Sequence, residues 1–224
     1  MARIHKRYVD LPAGQMHCRT VEGSAPAILF LHQTATSSAS YDPLLEELAV
    51  PNRLVAIDTP GFGGSYDPAG WPTLADYARE ILATADALGL ERFHVFGHHT
   101  GATLAIEMAA QAPGRVLSLM LAGPVFMTEA ERADFAAGYG DPIALRRDGG
   151  HLLTNWDYAA GYNPDCDVEL LHGEVIAMLR AWRGRPQAYA AVAHHDTAAA
   201  LVGLHIPTLP VSYTHLTLPT KRIV

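Results

Sequence analysis

Apolar residues along this chain alternate between short uninterrupted runs and longer stretches of helical spacing. Four runs, at residues 27–31, 53–57, 93–96 and 116–122, are bounded by turn residues and too short for independent helices, which predicts buried strands. Between them, residues 41–49 place Leu44, Leu45 and Leu48 on one helical face. Residues 74–88 repeat Tyr77, Ile81, Ala85 and Leu88 at helical intervals. Thr73 precedes the second helix and Asp76 follows three positions later, the two halves of a capping box. A third helix is expected over 102–112, directly after a glycine-bounded turn. Strand and helix in strict alternation imply an α/β fold with a mostly parallel sheet, right-handed crossovers and helices on both faces. Segments around 4–9 and 16–21 add an antiparallel hairpin at one edge.

After Pro124 the alternation stops. Residues 126–204 carry helical patterns at 129–137, 167–181 and 186–193, separated by Gly and Pro, with no apolar strand until Ile206-Pro207-Thr208-Leu209. The expected division is a core over 1–125, a helical cap insertion over 126–204 and a returning core strand beginning at 205–210. From Val211 the chain reads Val-Ser-Tyr-Thr-His-Leu-Thr-Leu-Pro-Thr, and back-translation of these residues resembles the transposon-end adapter of short-read DNA libraries. Residues 211–224 are therefore set aside as a non-native tail, which makes the fold C-terminally truncated. A period-two strand is the alternative for the same residues.

Composition narrows the function. The chain has 224 residues, 49% of them hydrophobic, and a formal net charge of −7 without any Lys/Arg run. That is enough apolar material for one core and offers no basic surface to a nucleic acid. No apolar stretch is long enough to span a bilayer, and residues 1–10 lack the features of a signal peptide. Two distant cysteines, Cys18 and Cys166, fit unpaired thiols in a reducing cytoplasm. The expected partner is a small-molecule substrate, with no nucleic acid and no membrane.

Ligands of open parallel sheets bind beyond the carboxyl ends of the strands. Three such loops stand out: His32-Gln33-Thr34-Ala35-Thr36-Ser37-Ser38, Asp58-Thr59-Pro60-Gly61-Phe62-Gly63-Gly64-Ser65, and Gly97-His98-His99-Thr100-Gly101. In this order and at these intervals they resemble the α/β-hydrolase superfamily, from about Tyr8 to Pro210. That family has a loop beginning with His after one strand, an Asp-x-Pro-Gly turn after the next, and a Gly-x-nucleophile-x-Gly elbow. The resemblance implies hydrolysis of a small apolar ester or related bond and a strained elbow whose glycines, Gly97 and Gly101, avoid collision with the turn and the adjacent strand. It also implies an oxyanion hole from the backbone N–H groups of Gln33 and Thr100.

The departure is at the elbow's centre, where His99 replaces the usual Ser, Asp or Cys. An imidazole can act as general base or nucleophile, or occupy a relic of a catalytic position. A non-catalytic ligand binder and a non-hydrolytic lyase are the alternatives to a hydrolase. The family's acid and base positions fall beyond Pro210, and Pro124, Val125 and Phe126 offer no carboxylate after the preceding strand, so weak or absent activity is expected of this chain. His32, Trp156, Tyr158 and Tyr162 are candidate pocket residues, the aromatics serving equally as a local core. His98 is expected to pack beside the elbow with its ring turned away from His99, His94 to be structural, and His194, His195 and Asp196 to form a solvated helix end. The histidine spacing matches no ligand motif, so neither a metal nor another cofactor is expected.

Overall fold

A computed structural model describes residues 2–139, 143–162 and 164–211 of the chain. Its sheet contains β1 (His5–Leu11), β2 (Gly14–Val21), β3 (Ala25–Leu31), β4 (Asn52–Ile57), β5 (Phe93–His98), β6 (Val116–Ala122) and β7 (Thr208–Val211), in the order β1-β2-β4-β3-β5-β6-β7. The β1/β2 and β2/β4 pairs are antiparallel, and β4, β3, β5, β6 and β7 are mutually parallel. From β3 the chain steps to β4 on one side, then returns across β3 to β5 on the other. The direction of winding therefore reverses between β3 and β5, where diverging loops open a crevice.

Both faces of the central strands are apolar and covered. On one face Leu29, Leu31, Val55, Ile57, Phe93 and Val95 meet α2 (Leu74–Ala87) and α3 (Thr100–Gln111). On the other, Phe30, Leu54 and Ala56 meet Tyr41 and Leu45, from a 3₁₀ turn at Ser38–Tyr41 and the short α1 (Asp42–Glu47). The expected helix over 41–49 is thus shorter and begins differently, with Pro43 in its first turn. Leu44 is exposed instead of sharing the buried face of Leu45. The Thr73–Asp76 capping box forms as expected, each residue's side chain accepting the other's backbone N–H.

Beyond β6 come α4 (Glu129–Tyr139), α5 (Gly150–Tyr162), α6 (Val168–Arg180), α7 (Gly184–Ala193) and α8 (Thr197–Val202). Two of these, α5 and α8, escape the sequence reading. α8 is only six residues long, and α5 has weak apolar periodicity, with just Asn155 and Ala159 buried. The returning strand pairs with β6 one residue farther than expected, Gly123 N–H donating to Val211 O at 3.0 Å. The remainder of the proposed tail, 212–224, lies outside the described residues. No helix among the described residues is long and apolar enough to cross a membrane. Cys18 and Cys166 are both free thiols, and burial raises the Cys18 pKa to about 11.

The helices after β6 are fastened to the loop after β4. Arg180, closing α6, donates from Nε to Gly63 O (3.0 Å), from Nη1 to Asp67 Oδ1 (2.8 Å) and from Nη2 to Ser65 O (2.9 Å). Gln187 Nε2 reaches Gly70 O at 2.6 Å. Between these anchors Gly184 meets Gly61 backbone to backbone, so closely that a Cβ on Gly184 would collide with Gly61 O. Replacing Arg180 by Ala should cost about 2 kcal/mol by the usual worth of charged hydrogen bonds, read as a lower urea midpoint. Arg180→Lys should recover little, since one ammonium cannot span three acceptors; an unchanged midpoint in the Ala variant would show that the anchor is dispensable.

Candidate active site

The switch point places three loops around the start of α3. β5 ends at His98, His99 turns the chain, and α3 begins at Thr100. His99 has φ 48° and ψ −111°, the sole positive φ at a non-glycine among the described residues. Such a conformation costs about 1–3 kcal/mol and persists only where its surroundings impose it. They do: His99 N–H donates to Ala122 O on β6 at 2.9 Å, and His99 O accepts from Ala102 and Thr103.

The flanking glycines are required by close backbone approach. A Cβ on Gly97 would collide with Gly101 O, and a Cβ on Gly101 would collide with Leu31 O at the end of β3. The helix therefore starts directly against the carboxyl end of β3, beside the His32-Gln33 loop. Thr100 and Gly101 occupy the first turn, whose amides have no preceding intrahelical carbonyl to bond.

His98 and His99 are both half-buried and stack, ring centroids 4.8 Å apart and planes at 32°. This corrects the expectation that adjacent turn histidines point apart; the unusual backbone at His99 brings its ring back over its neighbour. Burial, followed by the proximity of His99 and His32, holds the His98 pKa at about 4. Burial also lowers the His99 pKa, opposed by a hydrogen bond to the Gly123 backbone. Both imidazoles are consequently neutral near pH 7, and the His99 nitrogen opposite its Gly123 contact carries the lone pair.

His32 lines the cavity at the start of α3, as the pocket role suggested for it requires, and its ring is also fixed between two loops. Its Nε2 accepts from Thr59 N–H at 3.1 Å, so its proton sits on Nδ1, which donates to Gln33 O at 2.8 Å. Burial lowers its pKa, reinforcing the neutral form. With both nitrogens engaged, His32 works as a brace between the first two loops. Gln33 O also accepts from Thr36 N and Thr36 Oγ1, both at 3.0 Å, which fixes the loop carrying the Gln33 peptide.

Asp58 is a feature that sequence reasoning passed over as part of a flexible turn. Its carboxylate accepts from Ser38 N (2.6 Å), Gly64 N (2.7 Å) and His17 Nδ1 (2.7 Å), tying β2 and both loops together. Burial alone would raise its pKa, but the hydrogen bonds from His17, Gly64 and Ser38 outweigh it and hold the carboxyl at about 2. A Cβ on Gly63 would strike this carboxylate, which accounts for glycine there. The available signal was the pairing of a strand-ending Asp with glycines five and six positions later.

A cavity of about 10 Å³, room for roughly one water, is lined by His32, Thr59, Phe62, Tyr77, Thr100 and Ala188 among others. Trp156 and Tyr158 do not line it. They pack at the margin of an apolar cluster of Ala159, Leu171, Val175 and Met178 that adjoins the cavity through Phe62 and Ala188, the local-core alternative. His94 is structural, bonding Ser118 Oγ at 2.8 Å. The solvated helix end holds for His194 but not for His195, whose Nε2 lies 3.1 Å from Glu107 Oε2 of α3, with both side chains 15% exposed.

A crossover sheet with a strained strand-to-helix elbow at its switch point defines the hydrolase type of α/β domain. The family model described as alpha/beta hydrolase fold matches residues 26–143, and the chain belongs to that family. It is 36% identical over 181 residues to a pimeloyl-[acyl-carrier protein] methyl ester esterase of Nitrosomonas europaea, covering 76% of this chain and 66% of that one. It is also 36% identical over 124 residues to a fluoroacetate dehalogenase of Burkholderia sp, covering 52% and 40%. The matched part thus spans about two fifths to two thirds of these relatives. In fold it resembles the N-acyl homoserine lactonase AidH complexed with N-butanoyl homoserine, with TM-score 0.73, 24% identity and coverage of 93% of this chain and 78% of that one.

Because the folded Asp58 carboxyl holds its proton less tightly than the unfolded chain does, protons favour unfolding. Stability from this group should be complete above about pH 5 and fall as pH drops toward 2. Asp58→Asn should lower stability by about 1–3 kcal/mol, the usual cost of leaving a buried hydrogen-bonding group unsatisfied, and flatten that acid limb in urea titrations across pH. A variant with the wild-type acid limb would remove Asp58 as its source.

Proposed function

We propose that this chain carries the catalytic core of a hydrolase for a small, mainly apolar ester or related bond, with His99 as its reacting side chain. The observation that carries this reading is the strained elbow itself, which sets a neutral imidazole beside the opening turn of a helix. Residues 126–204 act as a cap over a core of residues 1–125, with 205–210 returning to the sheet. The two free thiols support a reducing, cytoplasmic setting.

In this reading His99 is a general base. Its lone-pair nitrogen takes a proton from water as the water oxygen attacks the ester carbon, and the carbonyl π pair moves onto oxygen. The amides of Gln33 and Thr100 donate to that oxyanion, aided by the electropositive end of α3. Collapse restores the carbonyl and expels the alkoxide, which takes the proton from the imidazolium. Acid and alcohol leave, and His99 is neutral again. The Gly123 carbonyl orients the ring and favours the imidazolium.

Turnover of short p-nitrophenyl esters by the wild type, expected to be weak in this chain, and by His99→Ala tests this. The variant should lose at least about a hundredfold in kcat/KM, the ordinary contribution of a positioned base. The wild-type rate should rise with pH through a pKa below the ordinary 6.5 of histidine and level off near neutrality, a step the variant lacks. Equal turnover by both would remove His99 from the chemistry. No turnover with retained ligand binding would favour a binder built on the same fold.

A further inference from the structure

Among the described residues, Arg185 is a cation without a counter-ion. Its Nη1 is buried and has no hydrogen-bond partner, and none of the ion pairs among those residues involves it, in contrast to Arg132 and Arg180 in the same helical segment. Its guanidinium lies over the ring of Tyr158 at 4.5 Å and near that of Tyr189 at 5.8 Å. Tyr158 OH is turned to Tyr162 OH at 3.2 Å, and Tyr189 is braced edge-on by Phe135, so both rings are held in place. Facing π surfaces offset part of the cost of burying a guanidinium, but they leave its planar fork of donors unanswered. A buried guanidinium N–H left without an acceptor carries a desolvation cost that an anion placed there would answer.

Position gives this arrangement its meaning. Arg185 lies in the first turn of α7, its own N–H donating to Ala181 O at 2.7 Å. Ala188, one helical turn onward and on the same face, lines the cavity beside His32 and Thr100. The backbone of Arg185 therefore stands about 4.5 Å along the helix axis from that of a residue lining the same cavity as Thr100, by the rise of three helical residues. Carboxylate recognition by a guanidinium fork is bidentate and directional.

We infer that Arg185, framed by Tyr158 and Tyr189, receives the carboxylate of a short-chain anionic substrate whose other end reaches the elbow. The assignment rests on the elbow being the reacting site, as proposed above. It narrows the substrate from a small apolar ester to one carrying a carboxylate away from the bond that breaks.

The test is calorimetric binding of glutaramate, which has one carboxylate and one amide, against neutral glutaramide, using the full chain. Wild type should bind glutaramate at least tenfold more tightly. Arg185→Met, which keeps the stacked stem and removes the charge, should reduce that preference to near unity, and Arg185→Lys should retain part of it. Thermal melting shows that each variant is folded, and Arg185→Gln serves if the Met variant is not. His99→Ala should keep the full preference. Equal affinity for the two ligands, failure of either to bind wild type, or an unchanged preference without the guanidinium would each overturn the assignment. Preference for glutaramate alongside absent ester turnover would retain the Arg185 site and discard the His99 chemistry. Ester turnover without the preference would do the reverse.

Discussion

The arrangement of loops around the elbow depends on one buried carboxylate. Asp58 ends a strand in the middle of the sheet and accepts from the ring of His17 and from the amides of Ser38 and Gly64. Each donor arrives from a different segment, so a single anion fixes the spacing of β2, the loop after β3 and the turn after β4. His32 adds a neutral brace between two of the same loops. The helical segment after β6 is then fastened to the turn that Asp58 has already shaped, through Arg180 and Gln187. The geometry above His99 is thus the last link of a chain that begins with a proton kept off one oxygen.

Local pattern made the frame legible. Central strands buried on both faces must be continuously apolar, so residues 27–31, 53–57, 93–96 and 116–122 announce themselves, and the capping box marks the start of α2 to the residue. The elbow glycines could be read because their requirement is steric and short in range. What stayed hidden was long in range. No spacing rule connects His17 with Asp58, Arg180 with Gly63 or His195 with Glu107, because each pair meets only after the sheet and its covering helices have formed. The stacking of His98 on His99 was misjudged for a related reason: ordinary turn geometry separates neighbouring side chains, and this turn is not ordinary.

His32 illustrates how little of a role composition alone specifies. A histidine beginning a loop at the mouth of a crevice does line the cavity there, while its ring nitrogens are committed to Thr59 and Gln33 and its charge is suppressed. The same residue type at 99 sits in different surroundings, with a strained backbone and a ring only half-buried. Arg185 is a parallel case among cations. Arg180 spends its donors on structure, while Arg185, five residues later, retains a buried nitrogen with none of its hydrogen-bonding capacity used.

The contact of Gly61 with Gly184 is made by main chain on both sides, with no side chain interposed. A seat of that kind is indifferent to the identity of most residues around it, provided the two glycines stay. Substitutions on α7 away from Gly184 and Gln187 can therefore be accommodated without disturbing that seat. In evolutionary terms that seat constrains two positions and leaves their neighbours freer to vary.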